Sequence, residues 1–450
     1  MSIEFPRGFF LGSATSAYQI EGAAAEDGRE ESIWDVFCRV PGAIVNGEDG
    51  LVACDHYHRY AEDAKLLAAL GMRTYRFSVS WPRVLNDGLV NPAGMDFYSR
   101  LVDELLANDV TPWLTLYHWD LPAALPGGWT NRDTAKRFVD YALAVHERLG
   151  DRVRTWTTLN EPWCSSFLSY AAGVHAPGLT DPVASIRAAH HLLLAHGWAV
   201  QALREADPSA TLGATINFTP ALPASDSAQD RDVARRVDGT TNRFFVEPLF
   251  TGHYPADVLD DLAELWPDDL VAEEDLAAIS APIDVLGVNY YTTNVFRAGE
   301  PTEPTPHIAA PDAVQVLRDL PLTGMGWEVD PAGLRNLLTW LHADYTGPAG
   351  VPLVITESGA AFDDVVDEAG YVDDADRIDY LRRHLTAVRE AMDAGADVRG
   401  YLVWSLMDNF EWAHGYGKRF GLVRVDADLN RIPKASARWF ADVARTGRVG

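Results

Sequence analysis

Short apolar runs recur along this chain, spaced widely enough to leave room for a helix between most of them. They are FFLGSATS from Phe9, TYRFSVSW from Thr74, TPWLTLYHW from Thr111, RTWTTLNEP from Arg154, ATLGATINF from Ala210, IDVLGVNYY from Ile283, VPLVITES from Val351 and RGYLVWSLMD from Arg399. Between them the apolar spacing changes to three or four. In IDYLRRHLTAVREAMDAG, Ile378, Leu381, Leu385, Val388 and Met392 share one helical face and Gly395 supplies the stop. The segments YAEDAKLLAALG from Tyr60 and MDFYSRLVDELLAND from Met95 have the same helical character.

Strands separated by helices pair in parallel through right-handed crossovers. Eight such units predict an α/β fold, a closed (β/α)8 TIM barrel, which needs about 250 residues and accepts insertions to beyond about 400. An open doubly wound sheet is the alternative. It normally carries a glycine-rich phosphate turn, and neither GxGxxG nor GxxxxGK[ST] occurs here. The surplus length is expected in long inserted loops at the C-terminal face of the strands, mainly 219–282 and 296–350. No repeat or linker divides the chain, so residues 1–450 are expected to form a single barrel domain.

In a parallel barrel the downstream strand ends share one mouth, so residues distant in sequence converge there. Strand one ends near Tyr18 and Gln19, strand two passes through Arg76, and strand three ends at His118 and Trp119. Strand four ends at Asn160 and Glu161, strand six at Asn289 to Tyr291, and strand seven at Glu357. Strand eight leads to Trp404, Glu411 and Trp412. Carboxylates and amides that bind hydroxyls, beside indoles that stack on sugar rings, suit a neutral polyhydroxylated ligand. Hydrolysis of a glycosidic bond also calls for two carboxylates flanking it.

Composition narrows the alternatives. Sixty-five acidic against 37 basic residues give a formal charge of −28, which repels nucleic acid and anionic membranes. No run approaches the roughly 18 apolar residues of a membrane span. The start, MSIEFPRGFFLG, lacks the basic and apolar regions of a secretory signal. Cys38, Cys54 and Cys164 cannot all pair within one chain and show no CxxC spacing, which points to a reducing cytoplasm. His56 with His58 and His190 with His191 supply imidazoles without an HExxH or a Cys/His quartet, so no metal and no cofactor is expected. No GxSxG supports a serine nucleophile.

The pieces SATSAYQIEG, YRFSVSWPR, YHWDLP, TLNEPW, GVNYY, ITESG and WSLMDNFEWAHGYGKRFGLVRVD stand in an order that resembles glycoside hydrolase family 1, the β-glucosidases, over essentially the whole chain. The resemblance implies a retaining exo-β-glycosidase acting on a β-glycoside or short oligosaccharide such as cellobiose. Glu161 is implied as general acid/base and Glu357 as nucleophile, about 5–5.5 Å apart. Arg76 and Tyr291 are implied to keep Glu357 ionised. Gln19, His118, Asn160, Glu411 and Trp412 correspond to contacts with the non-reducing sugar, and Trp404 to its stacking platform. Trp119 and Phe420 join that substrate-binding set, Trp327 to a wall of the leaving-group site and Asn289 to a support beside the nucleophile.

Two positions depart from the family pattern. Ser358 follows Glu357 where asparagine is usual, and Leu11 stands where tryptophan is usual. The resemblance also frames the competitors. A 6-phospho-β-glycosidase replaces the Glu-Trp pair that is intact here at Glu411 and Trp412. A sugar-binding protein without catalysis has no need of both glutamates. Transfer to acceptors other than water stays open, and so does the oligomeric state.

Overall fold

In the computed structural model, which describes residues 3–301 and 305–450, every one of the eight apolar runs contains a strand. Met1 and Ser2 of the N-terminal segment, and 302–304 of the second surplus stretch, lie outside the described residues. The strands are β1 (Phe10–Ala14), β2 (Thr74–Ser78), β3 (Thr111–Tyr117), β4 (Thr155–Asn160), β5 (Thr211–Asn217), β6 (Val285–Asn289), β7 (Leu353–Ser358) and β8 (Val398–Trp404). They close a barrel in chain order with β8 paired back to β1, and every neighbouring pair is parallel. β2, β6 and β7 are buried along their whole lengths, which is why they read as near-continuous apolar runs.

Helices follow each strand: α1 (His56–Ala69), α2 (Pro92–Ala107), α3 (Arg132–Leu149), α4 (Pro182–Ala206), α5 (Phe244–Thr251), α6 (Pro331–Leu341), α7 (Ala375–Asp393) and α8 (Ala435–Thr446). Their starts are fixed by local chemistry. Asp181 accepts from the amides of Val183 and Ala184 ahead of Pro182, and Asp330 accepts from Gly333 ahead of Pro331. An acidic N-cap followed by proline satisfies free amides and presets the first helical φ. In α7 the expected stripe buries Leu381, Leu385 and Val388, with Ile378 and Met392 half-buried at its ends.

The barrel is packed through its lower interior. Trp113, Val285, Val354 and Leu402 form a cluster there that continues up to Ala14 and Trp404 at the mouth. Gly287 admits no side chain, because a Cβ would stand 2.3 Å from Thr215 Oγ1. Toward the mouth the pairing becomes irregular: register shifts fall before Asn160 on β4, before Asn289 on β6 and before Ser358 on β7. Such irregularities re-aim side chains, and here they lie where the candidate site begins.

The surplus stretches are less loop-like than expected. Ala221–Pro223, Asn294–Ala298 and Ala313–Val316 form a three-stranded sheet beside the helix Ala228–Asp238, and α5 and α6 lie in the same stretches. A small core of Val233, Val237, Phe296, Ala310 and Ala313 holds this addition together. Ile3–Glu4 pairs with Arg448–Val449, joining the two ends of the described chain. No helix is long and apolar enough to cross a membrane among the described residues.

Candidate active site

Glu357 is the fifth residue of the six-residue β7, so its backbone is held by the barrel on both sides. Glu161 is the first residue after β4 and takes φ 51°, after which Pro162 and the wide-turned helix Cys164–Ala171 lead the chain away. Trp119, just past β3, and Trp412, past β8, also have positive φ, 79° and 48°. A non-glycine residue held in the left-handed region costs about 1–3 kcal/mol, and such residues gather at functional sites because the surroundings dictate them.

A continuous chain of hydrogen bonds joins the two glutamates. Arg76 Nη1 donates to Glu357 Oε1 at 2.6 Å while its Nη2 donates to Asn160 Oδ1 at 2.7 Å. Asn289 Nδ2 donates to the same Asn160 oxygen at 3.1 Å and to Glu161 Oε1 at 2.8 Å. Thr356 donates to Asn289 Oδ1 at 2.8 Å and fixes the orientation of that amide. The Tyr291 hydroxyl donates to Glu357 Oε2 at 2.8 Å. Cys164 Sγ donates more weakly to Glu161 Oε2 at 3.5 Å.

These partners divide the pair electrostatically. Burial, and then the charge of Glu357, push Glu161 up to about 8, so its carboxyl holds a proton at neutral pH. Burial also raises Glu357, but Arg76 and Tyr291 pull it back, so Glu357 ionises first. Glu411 rises to about 8 through burial and the charges of Glu357 and Glu161. Burial, with the Arg76 charge, keeps His118 neutral. Its Nε2 lies 3.1 Å from Asn160 Nδ2 and accepts from it, so Nδ1 carries the proton and has no protein partner.

Ten of the fourteen expected site residues line one cavity of about 650 Å³: His118, Trp119, Glu161, Tyr291, Trp327, Glu357, Trp404, Glu411, Trp412 and Phe420. Arg76, Asn160 and Asn289 stand directly behind the glutamates. Gln19 is placed differently from the reading that ended strand one on it. It lies on the short helix Ala17–Ile20, fully buried, and donates to Asn409 Oδ1 at 3.0 Å and to the Phe410 carbonyl at 2.8 Å. Its nearness tempers the rise of the Glu411 carboxyl. Trp404 and His118 stack at 5.7 Å, and Trp412 stacks on Tyr18 at 6.0 Å.

Several lining residues escape the sequence reading. Asn217 ends β5, lines the cavity and keeps a buried Oδ1 without a partner. Its signal was available, since TINF closes strand five as GVNYY closes strand six. Trp163 and Cys164 line the cavity from the turn just after Glu161. Ser358 now has an account: alternation along β7 sends Glu357 to the mouth and Ser358 to the helix side, where Oγ lies 3.4 Å from the Tyr380 hydroxyl of α7. Leu11 is buried in the main core.

Of the paired histidines, His58 lies at the surface beside Asp55 and Glu26, and the others are buried. His56 bonds Asp63 at 2.7 Å, and His190 bonds both Tyr254 and Asp275. No group of three or more His, Cys, Asp or Glu side chains is arranged to hold a metal among the described residues.

A (β/α)8 barrel whose C-terminal mouth binds two buried glutamates into one hydrogen-bonded chain, under a roof of tryptophans, has the constitution of a glycoside hydrolase barrel. The sequence profile of glycosyl hydrolase family 1 matches residues 1–448, and the chain belongs to that family. It is 51% identical to the thermostable β-glucosidase B of Thermobispora bispora, covering 98% of this chain and 91% of that one. It is 47% identical to a bifunctional β-D-glucosidase/β-D-fucosidase of Bifidobacterium breve, covering 98% of both. The crystal structure of a psychrophilic β-glucosidase from Micrococcus antarcticus superposes with a TM-score of 0.96 at 49% identity, over 99% of this chain and 98% of that one.

Proposed function

We propose that this protein is a retaining exo-β-glucosidase that removes terminal β-D-glucosyl residues and extends to β-fucosides and β-galactosides. The observation that carries the reading is the chain Glu357–Arg76–Asn160–Asn289–Glu161, which holds two buried carboxylates in one site with Arg76 on Glu357 alone. Glu161 donates its proton to the glycosidic oxygen while Glu357 attacks the anomeric carbon, and the C–O bond to the aglycone breaks. Glu161, now a carboxylate, takes a proton from water, and the hydroxide so formed displaces Glu357 and regenerates both groups. Two inversions return the β configuration.

Arg76 and Tyr291 hold the nucleophile ionised and oriented. Asn160 serves the 2-hydroxyl, where a bond strengthens as positive charge grows on the ring. The free Nδ1–H of His118 suits another ring hydroxyl, and Glu411, Trp412 and Gln19 frame the far edge of the ring. Trp404 and Trp119 supply faces, while Trp327 and Phe420 bound the side toward the leaving group. The ionised Glu357 repels a sugar phosphate and the intact Glu411–Trp412 pair offers it no cation, which argues against a 6-phosphoglycoside. The name of the Bifidobacterium breve relative supports the fucoside extension.

Residues 1–450 act as one catalytic unit on this reading, supported by a barrel that closes from β8 onto β1 and by the paired ends. Three unpaired cysteines support a cytoplasmic setting. Proton NMR of the first glucose released from an aryl β-glucoside tests the stereochemistry. The β anomer is expected before mutarotation, and initial α-glucose would overturn the retaining reading.

A further inference from the structure

Glu161 has to give up a proton in one half of the reaction and take one back in the other, so the two oxygens of its carboxyl are not equivalent. Oε1 accepts from Asn289 Nδ2 at 2.8 Å, and Thr356 fixes which way that amide points. An oxygen already accepting an amide N–H is the poorer place for the acid's proton, which therefore belongs on Oε2. Among the described residues Oε2 has one hydrogen-bond partner, the Cys164 thiol at 3.5 Å.

Cys164 is tied to Glu161 twice. Its backbone N–H donates to the Glu161 carbonyl at 3.0 Å, and its own carbonyl accepts from Ser169 Oγ at 3.0 Å, which holds the thiol at the head of the helix Cys164–Ala171. Burial, and then the charge of Glu161, keep its proton on well above the ordinary thiol range. A thiol is a weak donor and a weak acceptor. It can accept from Oε2–H in the acid form and donate to Oε2 in the carboxylate form, holding neither tightly. The bond to the charged form is the stronger of the two, so the thiol favours the carboxylate.

We propose that Cys164 is a positioning residue for the acid/base: its thiol is the partner that keeps the Glu161 proton on Oε2 and that steadies the carboxylate once the proton has gone. This rests on the β-glucosidase reading above and adds to it the group that tunes the proton donor. Glu357 on β7 and Arg76 on β2 also act on the Glu161 carboxyl, and its charge acts in turn on Glu411 beyond β8 and Tyr291 beyond β6. A substitution at 164 leaves all four in place, so a change in the pH profile reports the thiol.

The test is the kcat/KM profile against pH for methyl β-D-glucoside, whose poor leaving group needs the proton, on the full chain and on Cys164→Ala and Cys164→Ser. Alanine withdraws the bond that steadies the carboxylate, and its basic limb is expected to move up by about 0.3–0.7 pH unit. Serine restores a donor, and its limb is expected at the parent's position or below. An unmoved limb in the alanine variant, or a serine limb that rises with it, is the pattern of a side chain that only fills space. Either would overturn the role of the thiol and leave the glucosidase reading standing. If the parent turns over neither this glucoside nor an aryl one, the glucosidase reading falls and the inference with it.

Discussion

Arg76 on β2 and Glu357 on β7 form a fully buried pair, 2.6 Å apart, in the floor of the cavity. The guanidinium spends its second nitrogen on Asn160, so one cation orients the nucleophile and a residue of the acid/base strand together. Removing it strands a buried carboxylate, a loss of about 3–5 kcal/mol. Arg76→Met is therefore expected to lower kcat/KM by about two to three orders of magnitude and to move the acidic limb of its pH profile upward. Arg76→Lys keeps the charge and loses the fork, giving a smaller fall. An unmoved acidic limb in the methionine variant would remove Arg76 as the group that holds Glu357 ionised.

The basic limb belongs to Glu161. It must carry a proton to act as acid, so activity is present below its pKa and is lost as pH rises through about 8. Glu357 must be ionised, so activity falls on the acid side as it takes up a proton. The kcat/KM profile is bell-shaped, and Glu161→Gln abolishes the basic limb for an aryl glucoside with a good leaving group. In Glu161→Ala, turnover drops about 10²- to 10⁴-fold and azide restores it, giving a β-glycosyl azide. Failure of azide to rescue would displace Glu161 from the acid/base role.

Gln19 depends on Asn409, whose own Nδ2 is anchored by Ser405 Oγ at 2.9 Å. Asn409→Ala removes one of the two acceptors of the buried Gln19 amide, leaving the Phe410 carbonyl, and loosens its placement. Its KM for aryl glucosides is expected to rise about 5- to 30-fold, with kcat less affected. An equal fall in kcat at constant KM would show that Asn409 acts on the chemical step instead.

Asp120, beside Trp119, is a fully buried carboxyl with neither oxygen hydrogen-bonded. Burial pushes it up to about 8. The unfolded chain releases this proton near pH 4, whereas the folded state keeps it until about 8. The stability it contributes is therefore complete below about pH 4 and is lost progressively as pH rises to about 8. Asp120→Asn lacks that loss, so its Tm should gain on the parent's between pH 5 and pH 8. Parallel Tm curves would contradict the buried neutral carboxyl.

Much of this was legible in the sequence because a buried parallel strand writes itself as an apolar run and its polar terminus as a break in that run. Glu161, Glu357 and Tyr291 were readable on those grounds. Arg76 was tied to Glu357 only through the family resemblance, and it is folding that sets β2 across from β7 and makes the contact. Gln19 was misplaced because a four-residue helix leaves no periodicity to read. Ser358 looked like a change at the nucleophile, whereas strand alternation turns it toward Tyr380.

The central claim is a covalent bond from the sugar to Glu357. Incubation with a 2-deoxy-2-fluoro-β-glucoside bearing a good leaving group, followed by peptide mass mapping, measures it directly. The account predicts inactivation and one fluoroglucosyl group on the peptide containing Glu357. Inactivation with the label on another residue, or none on that peptide, would contradict it.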